Sequence, residues 1–262
     1  MRGTVGTGEP FVPRAPDDPG LFGHDSIARV VHADFTAMMV GGVASLLLQM
    51  LHPAALAGVW DHSDFRRDRH GRLKRTARFI AETTYASTEV AEATIARIRR
   101  IHEQVEGTLA DGTTYSASDP VLLRWVHVAE TWSFLAAHKR YRAPEMPLAE
   151  QDRYCAEMAI VAEKLGATNV PQTRAALDAA LRSARPALRY DARTAAVARA
   201  LLAADKGTPP AMQALLIEGA ADLLPAWAAA MHGLDRPGLA KPAVRLGVAG
   251  LGRVLRWALR PA

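Results

Sequence analysis

The sequence predicts an all-α, single-domain protein, and three observations carry that prediction. No run of useful length alternates apolar and polar residues as a strand does, whereas Ala, Leu, Arg and Glu recur at three-and-four spacing. Turn signals of proline, glycine and capping residues separate these periodic segments. The composition, 49% hydrophobic and 23% charged over 262 residues, excludes a disordered, collagen-like or coiled-coil chain. A chain of this length buries one substantial core with room for a ligand pocket.

Residues 1–21 are Gly/Pro-rich with scattered charges and read as a poorly ordered arm; they lack the apolar segment and small-residue cleavage site of an export signal. A first helix is predicted over Ile27–Leu51, ending at His52-Pro53 because the residue before a proline is pushed out of the α region. No charge occurs from Phe35 to Trp60, a stretch long enough to span a bilayer. Pro53, Gly41, Gly42 and Gly58 interrupt it and arginines flank both sides, so a buried central helix is expected.

Further helices are predicted over Arg72–Ala86, Thr88–Val105, Pro120–His138, Leu148–Leu165, Thr173–Ala184, Ala192–Ala203, Pro209–Met231 and Val244–Leu259. Ser118-Asp119-Pro120 is a cap followed by a first-turn proline. Asp111-Gly112-Thr113-Thr114-Tyr115 suits a small hairpin. No linker divides the chain: one helical domain is expected over residues 22–235, and residues 236–262 form a basic amphipathic helix packed on it. That last segment interleaves Lys241, Arg245, Arg253, Arg256 and Arg260 with Leu, Val and Trp257. Peripheral membrane contact is one reading. A terminal helix with one face on the core and the other solvated is the plainer one.

Several function classes fall away. Lys and Arg exceed Asp and Glu by five, 32 against 27, but the excess is diffuse and only five of the cations are lysines. With no polar recognition helix either, no nucleic-acid partner is expected. The single cysteine, Cys155, excludes an internal disulfide, a multi-cysteine metal site and covalent haem attachment, and it fits a reducing, cytoplasmic setting. In Tyr154-Cys155-Ala156-Glu157 it reads as a small buried apolar residue. No nucleophile elbow, phosphate-binding lysine loop, dinucleotide glycine fingerprint or His-Glu-x-x-His pair is present.

Three segments carry chemistry. In Thr88–Val105, residues Ala91, Thr94, Ile95, Ile98, Ile101 and Val105 form an apolar arc at 100° per residue, and His102 falls inside it. A buried imidazole needs a hydrogen-bond partner or a metal, since leaving it unpaired costs on the order of 1–3 kcal/mol. Both solutions stay open. In the helix before, Arg72 and Thr76 share a face with Phe79 and Thr83, a guanidinium and a hydroxyl suited to an anionic group such as a carboxylate, or Arg72 simply pairs within the bundle. Finally, His127 shares a face with Leu123, Thr131 and Phe134, as a core residue or a ligand.

Taken in order, the string Gly41-Gly42, Leu46-Leu47-Leu48-Gln49-Met50-Leu51-His52-Pro53, Gly58-Val59-Trp60-Asp61-His62-Ser63, Arg72-Leu73-Lys74-Arg75-Thr76, Arg99-Arg100-Ile101-His102-Glu103-Gln104-Val105-Glu106-Gly107, Asp111-Gly112-Thr113-Thr114-Tyr115, Asp119-Pro120 and Trp125-Val126-His127 resembles the MpaB / latex-clearing-protein (rubber oxygenase) family over about residues 22–235. The resemblance implies an all-helical fold with a globin-like core around a non-covalent haem b. It implies His102 as the iron ligand, with Arg72 and Thr76 beside the haem as catalytic residues, and Ile98, Val105 and His127 among the groups around the cofactor. In the rubber-cleaving branch a lysine before the threonine can take the distal iron position; Arg75 stands there. Arginine stays protonated and is a poor iron ligand, leaving that position open or filled by His127 or water. The activity implied is oxidative cleavage of carbon–carbon double bonds in an apolar, isoprenoid or lipid, small molecule with O₂ and an electron donor that the motifs do not name. A non-catalytic haem or apolar-ligand carrier or sensor is the alternative.

Overall fold

The computed structural model describes residues 14–63, 68–203, 209–235 and 241–258. The predicted helix over 27–51 is two. Ser26 caps α1 (Ile27–His32), and the Asp34 carboxylate then accepts the Ala37 N–H and starts α2 (Phe35–Gln49). His52 is extended, and Pro53 opens a helix absent from the sequence prediction, α3 (Pro53–His62). Two antiparallel helices follow, α4 (Arg69–Tyr85) and α5 (Thr88–His102), the second capped by Ser87. Strands β1 (Glu106–Thr108) and β2 (Thr114–Ser116) make the hairpin, with Gly107 opposite Tyr115.

The longest helix, α6 (Pro120–Tyr141), starts at the expected Asp119-Pro120 cap and continues a turn beyond the predicted end. Then come α7 (Leu148–Leu165), closed by the left-handed Gly166, α8 (Arg174–Ser183) and α9 (Ala192–Leu202). The segment 209–231 holds two helices, α10 (Pro210–Leu223) and α11 (Ala226–Met231). Leu224, preceding Pro225, is extended and breaks the run. The chain ends its described part in α12 (Lys241–Ala258).

The core is built around α2 and α6, with α10 and α12 on α2 and α7 and α8 on α6. Val40, Ala44, Leu47 and Leu48 of α2 meet Val128, Ala129, Phe134 and Leu135 of α6 in one buried cluster. Among the described residues no single helix is long and apolar enough to cross a membrane; only α2 and α3 together pass by length and composition, and they are bent by 103°. Residues 1–13 of the predicted arm lie outside the described residues. Residues 14–21 are tied to the α4–α5 junction: Arg14 N donates to the Tyr85 carbonyl, and the Asp18 carboxylate accepts the Thr88 N–H and hydroxyl.

Buried polar side chains pin the helices to each other. The Glu157 carboxylate on α7 accepts the Ser26 hydroxyl at 2.9 Å and the Ala28 N–H at 2.7 Å, seating the start of α1. His32 bridges the Thr84 hydroxyl at 2.9 Å and the Tyr154 hydroxyl at 3.0 Å, joining α1 to α4 and α7. Burial drops the His32 imidazole to about 3 and that of His127 on α6 to about 4. Both rings thus stay neutral in the fold while the unfolded chain takes up protons near 6.5. Their contribution is intact above that pH and is lost as pH falls from 6.5 towards 3. The urea midpoint is expected to decline through this window, and His127→Gln should flatten the decline.

Candidate functional site

The α4–α5 hairpin brings two separated residues to one level. Arg72 lies fourteen residues before Ala86, and His102 fifteen after Ser87. At 1.5 Å per residue both stand about 20 Å from the turn. The charge of Arg72 is close enough to act on the His102 ring: burial first, then Arg72, lowers the imidazole's affinity for a proton. His102 closes α5, where the negative helix end favours an imidazolium. Burial and the guanidinium work against it, and the ring is held neutral.

Neither residue is committed elsewhere. His102 is half-buried, and its Nδ1 is enclosed without a hydrogen-bond partner. Arg72 is half-buried too, and among the described residues no carboxylate pairs with it; burial and its neighbour Arg75 both disfavour its charge. An anionic group brought to this spot would relieve that cost. The other buried histidines are each held by a neighbour. His32 is fully bridged, His232 Nε2 donates to the Leu47 carbonyl at 2.9 Å and leaves its Nδ1 unpaired, His127 has the Thr131 hydroxyl at 3.4 Å, and His138, unpaired at Nδ1 too, is hydrogen-bonded to the Val31 backbone. His52, preceding α3, also has an unpaired Nδ1, with its ring against Trp125.

The apolar arc of α5 divides along its length. Ala91, Thr94 and Ile95 are buried, with Ile95 in the main core. Ile98 and Val105 are only half-buried and lie outside the core cluster, and Ile101 is 49% exposed, which corrects its expected inward place. Gly58 on α3 faces Val105: a Cβ there would be 3.6 Å from Val105 Cγ1 and 4.0 Å from Tyr115 Cε2. The Tyr115 hydroxyl donates to Asp61 at 3.2 Å, locking the hairpin on α3. The site therefore has α5 and the start of α4 on one side and α3 with the hairpin on the other.

The other predicted residues stand apart. Thr76 is exposed, its hydroxyl donating to the Arg72 carbonyl at 3.2 Å. Arg75 turns outward to Asp68 at 3.4 Å. His127 is buried in α6, and burial alone governs its proton affinity. One turn on, Glu130 has its carboxyl pushed up to about 7 by burial, a feature that sequence reasoning passed over. Cys155 is buried and its thiol pushed up to about 12, so it is no nucleophile. Among the described residues no group of three or more His, Cys, Asp and Glu side chains could hold a metal ion.

A family model described as the ER-bound oxygenase mpaB/B'/rubber oxygenase catalytic domain matches residues 29–257. The chain belongs to this family. Comparison with curated proteins and with solved structures gives no match. As an mpaB/rubber oxygenase domain, the chain carries a general oxygenase function. The matched region begins within α1 and ends within α12, so the helical assembly described above, including the His102–Arg72 pair, belongs to the oxygenase domain.

Proposed function

We propose that this oxygenase domain uses a non-covalent haem b, held by His102, to react O₂ with an apolar, isoprenoid-like or lipid substrate. The observation that carries the reading is the His102 imidazole: neutral, half-buried, free at Nδ1, and flanked by an Arg72 cation that no carboxylate pairs with among the described residues. The donor set fits haem better than a bare metal. One histidine is a complete protein contribution to a porphyrin iron, whereas a bare ion needs several side chains.

When bound, haem would supply redox-active iron for oxidative cleavage of a carbon–carbon double bond. The chain's own residues do the rest. His102 would hold the cofactor with a ring already in its ligating, neutral form. Arg72 would neutralise a propionate carboxylate, which removes the cost of its own unpaired charge. Ile98 and Val105, half-buried outside the core, would give the macrocycle and substrate an apolar wall from which water is excluded. Thr76 adds no free donor in this arrangement, because its hydroxyl is spent on the Arg72 carbonyl. Arg75 faces Asp68 and would offer the iron no ligand.

The test is an absorption spectrum of protein purified from a haem-supplied host, oxidised and then reduced. A Soret band that shifts on reduction is expected, and colourless protein would overturn the proposal. Oxygen uptake on adding a polyunsaturated isoprenoid to the reduced protein then separates an oxygenase from a carrier or sensor with inert iron.

A further inference from the structure

The last helix is apolar on two faces. One packs inward: Val248 is fully buried against α2 and α10, with Val244 and Leu251 beside it. The other points to water: Leu246 is 74% exposed, Val254 60% and Trp257 74%. With Gly250 these residues follow one another at three-and-four spacing and form one ridge. The outer face is solvated, as expected, but apolar along this ridge. Arg256 donates to Asp34 at 2.6 Å and sets the end of the ridge beside the start of α2. There Phe35 and Met39, one turn apart, are also exposed, at 50% and 41%.

The rim of this surface is positive. Asp222 accepts Arg140 at 2.9 Å and Arg245 at 2.7 Å and lies 4.0 Å from Lys241. Asp34 takes Arg256, and Arg253 is exposed with no carboxylate among the described residues. Five cations therefore surround two carboxylates, and α12 contains no acidic residue. We infer that α12 and the start of α2 form a docking face for an anionic lipid bilayer. A bilayer surface meets both features at once. Trp257, Leu246 and Val254 enter the headgroup–acyl boundary, and the arginines reach lipid phosphates. A second copy of the chain meets only one, since two-fold pairing through this face would set cations against cations. The inference is independent of the chemistry at His102.

Co-sedimentation with vesicles tests it, using phosphatidylcholine alone and phosphatidylcholine mixed with phosphatidylglycerol. The wild-type chain should pellet with the mixed vesicles and stay in solution with the neutral ones. The double variant Leu246→Ser/Trp257→Ser should bind at least about tenfold more weakly, and Arg253→Gln about fivefold more weakly. Because these side chains are exposed, circular dichroism melts should be unchanged. Wild-type protein left in solution with the mixed vesicles, or a double variant that pellets as well as wild type, overturns the inference. A dimer in light scattering that the double variant abolishes also overturns it and assigns the face to self-association.

Discussion

His102→Ala is expected to purify folded and colourless. The side chain is half-buried and makes no hydrogen bond that holds another element, so its removal leaves the helices as they are. Its melting temperature should therefore match that of wild type to within the small range typical of such truncations. Haem retention should fall by at least about tenfold, equal to about 1.4 kcal/mol of binding, because the iron would lose its protein ligand. Two controls make the result specific. His102→Gly with added imidazole should regain the Soret band, since a free ring can occupy the vacated space. His232→Ala should keep the band, because the His232 ring is buried and anchored through Nε2 to the Leu47 carbonyl in the main core. If His102→Ala kept the band while His52→Ala lost it, the ligand would be His52, whose Nδ1 is also unpaired.

What the sequence made legible follows from which forces are local. The face of His102 could be read from 100° periodicity because most of α5 is regular helix and Ile98, four residues before, and Val105, three after, are apolar. Ile101 was misplaced by the same rule. It lies at the edge of the arc, and the helix stops at His102, so its side chain meets water where an endless helix would have packed it. The third helix was hidden in Ala54, Ala55, Ala57 and Gly58, which are too small to give a periodic signal inside an uncharged run. The break before α2 turns on one carboxylate, Asp34, which caps in the fold but is merely a single polar residue in the string.

Tertiary pairings left no local trace. The approach of Arg72 to His102 depends on two helices of nearly equal length meeting at a two-residue turn, and the Tyr115–Asp61 bond depends on the hairpin folding back on α3. The outward apolar ridge of α12 was visible as residues but not as a surface. Arginines between the leucines suggest a polar outer face until the buried side of the helix is known.

Gly41→Val is expected to cost about 3 kcal/mol and to lower the melting temperature by about 10 °C. The reason lies in the closest crossing of the core. A Cβ at position 41 would stand 2.8 Å from Phe134 Cδ1, 3.1 Å from Phe134 Cα and 3.1 Å from the Ser133 carbonyl oxygen. The Phe134 ring could turn aside, but the other two atoms are backbone of α6 and move only if the two central helices separate. Separation would open gaps along Ala44, Leu47 and Leu48, which are now fully buried. Gly42 provides the control within the same helix, since its Cβ would have only Phe134 Cε1 nearby, at an ordinary 3.8 Å. Gly42→Ala should gain up to about 1 kcal/mol from helix propensity. Gly41→Ala shares that gain and the same change in the unfolded chain, so the difference between the two alanine variants isolates the helix contact. Urea titrations of all three variants measure it. Equal midpoints for the two alanine variants would show that α2 and α6 can part freely at position 41, and the proposed tight crossing would be wrong.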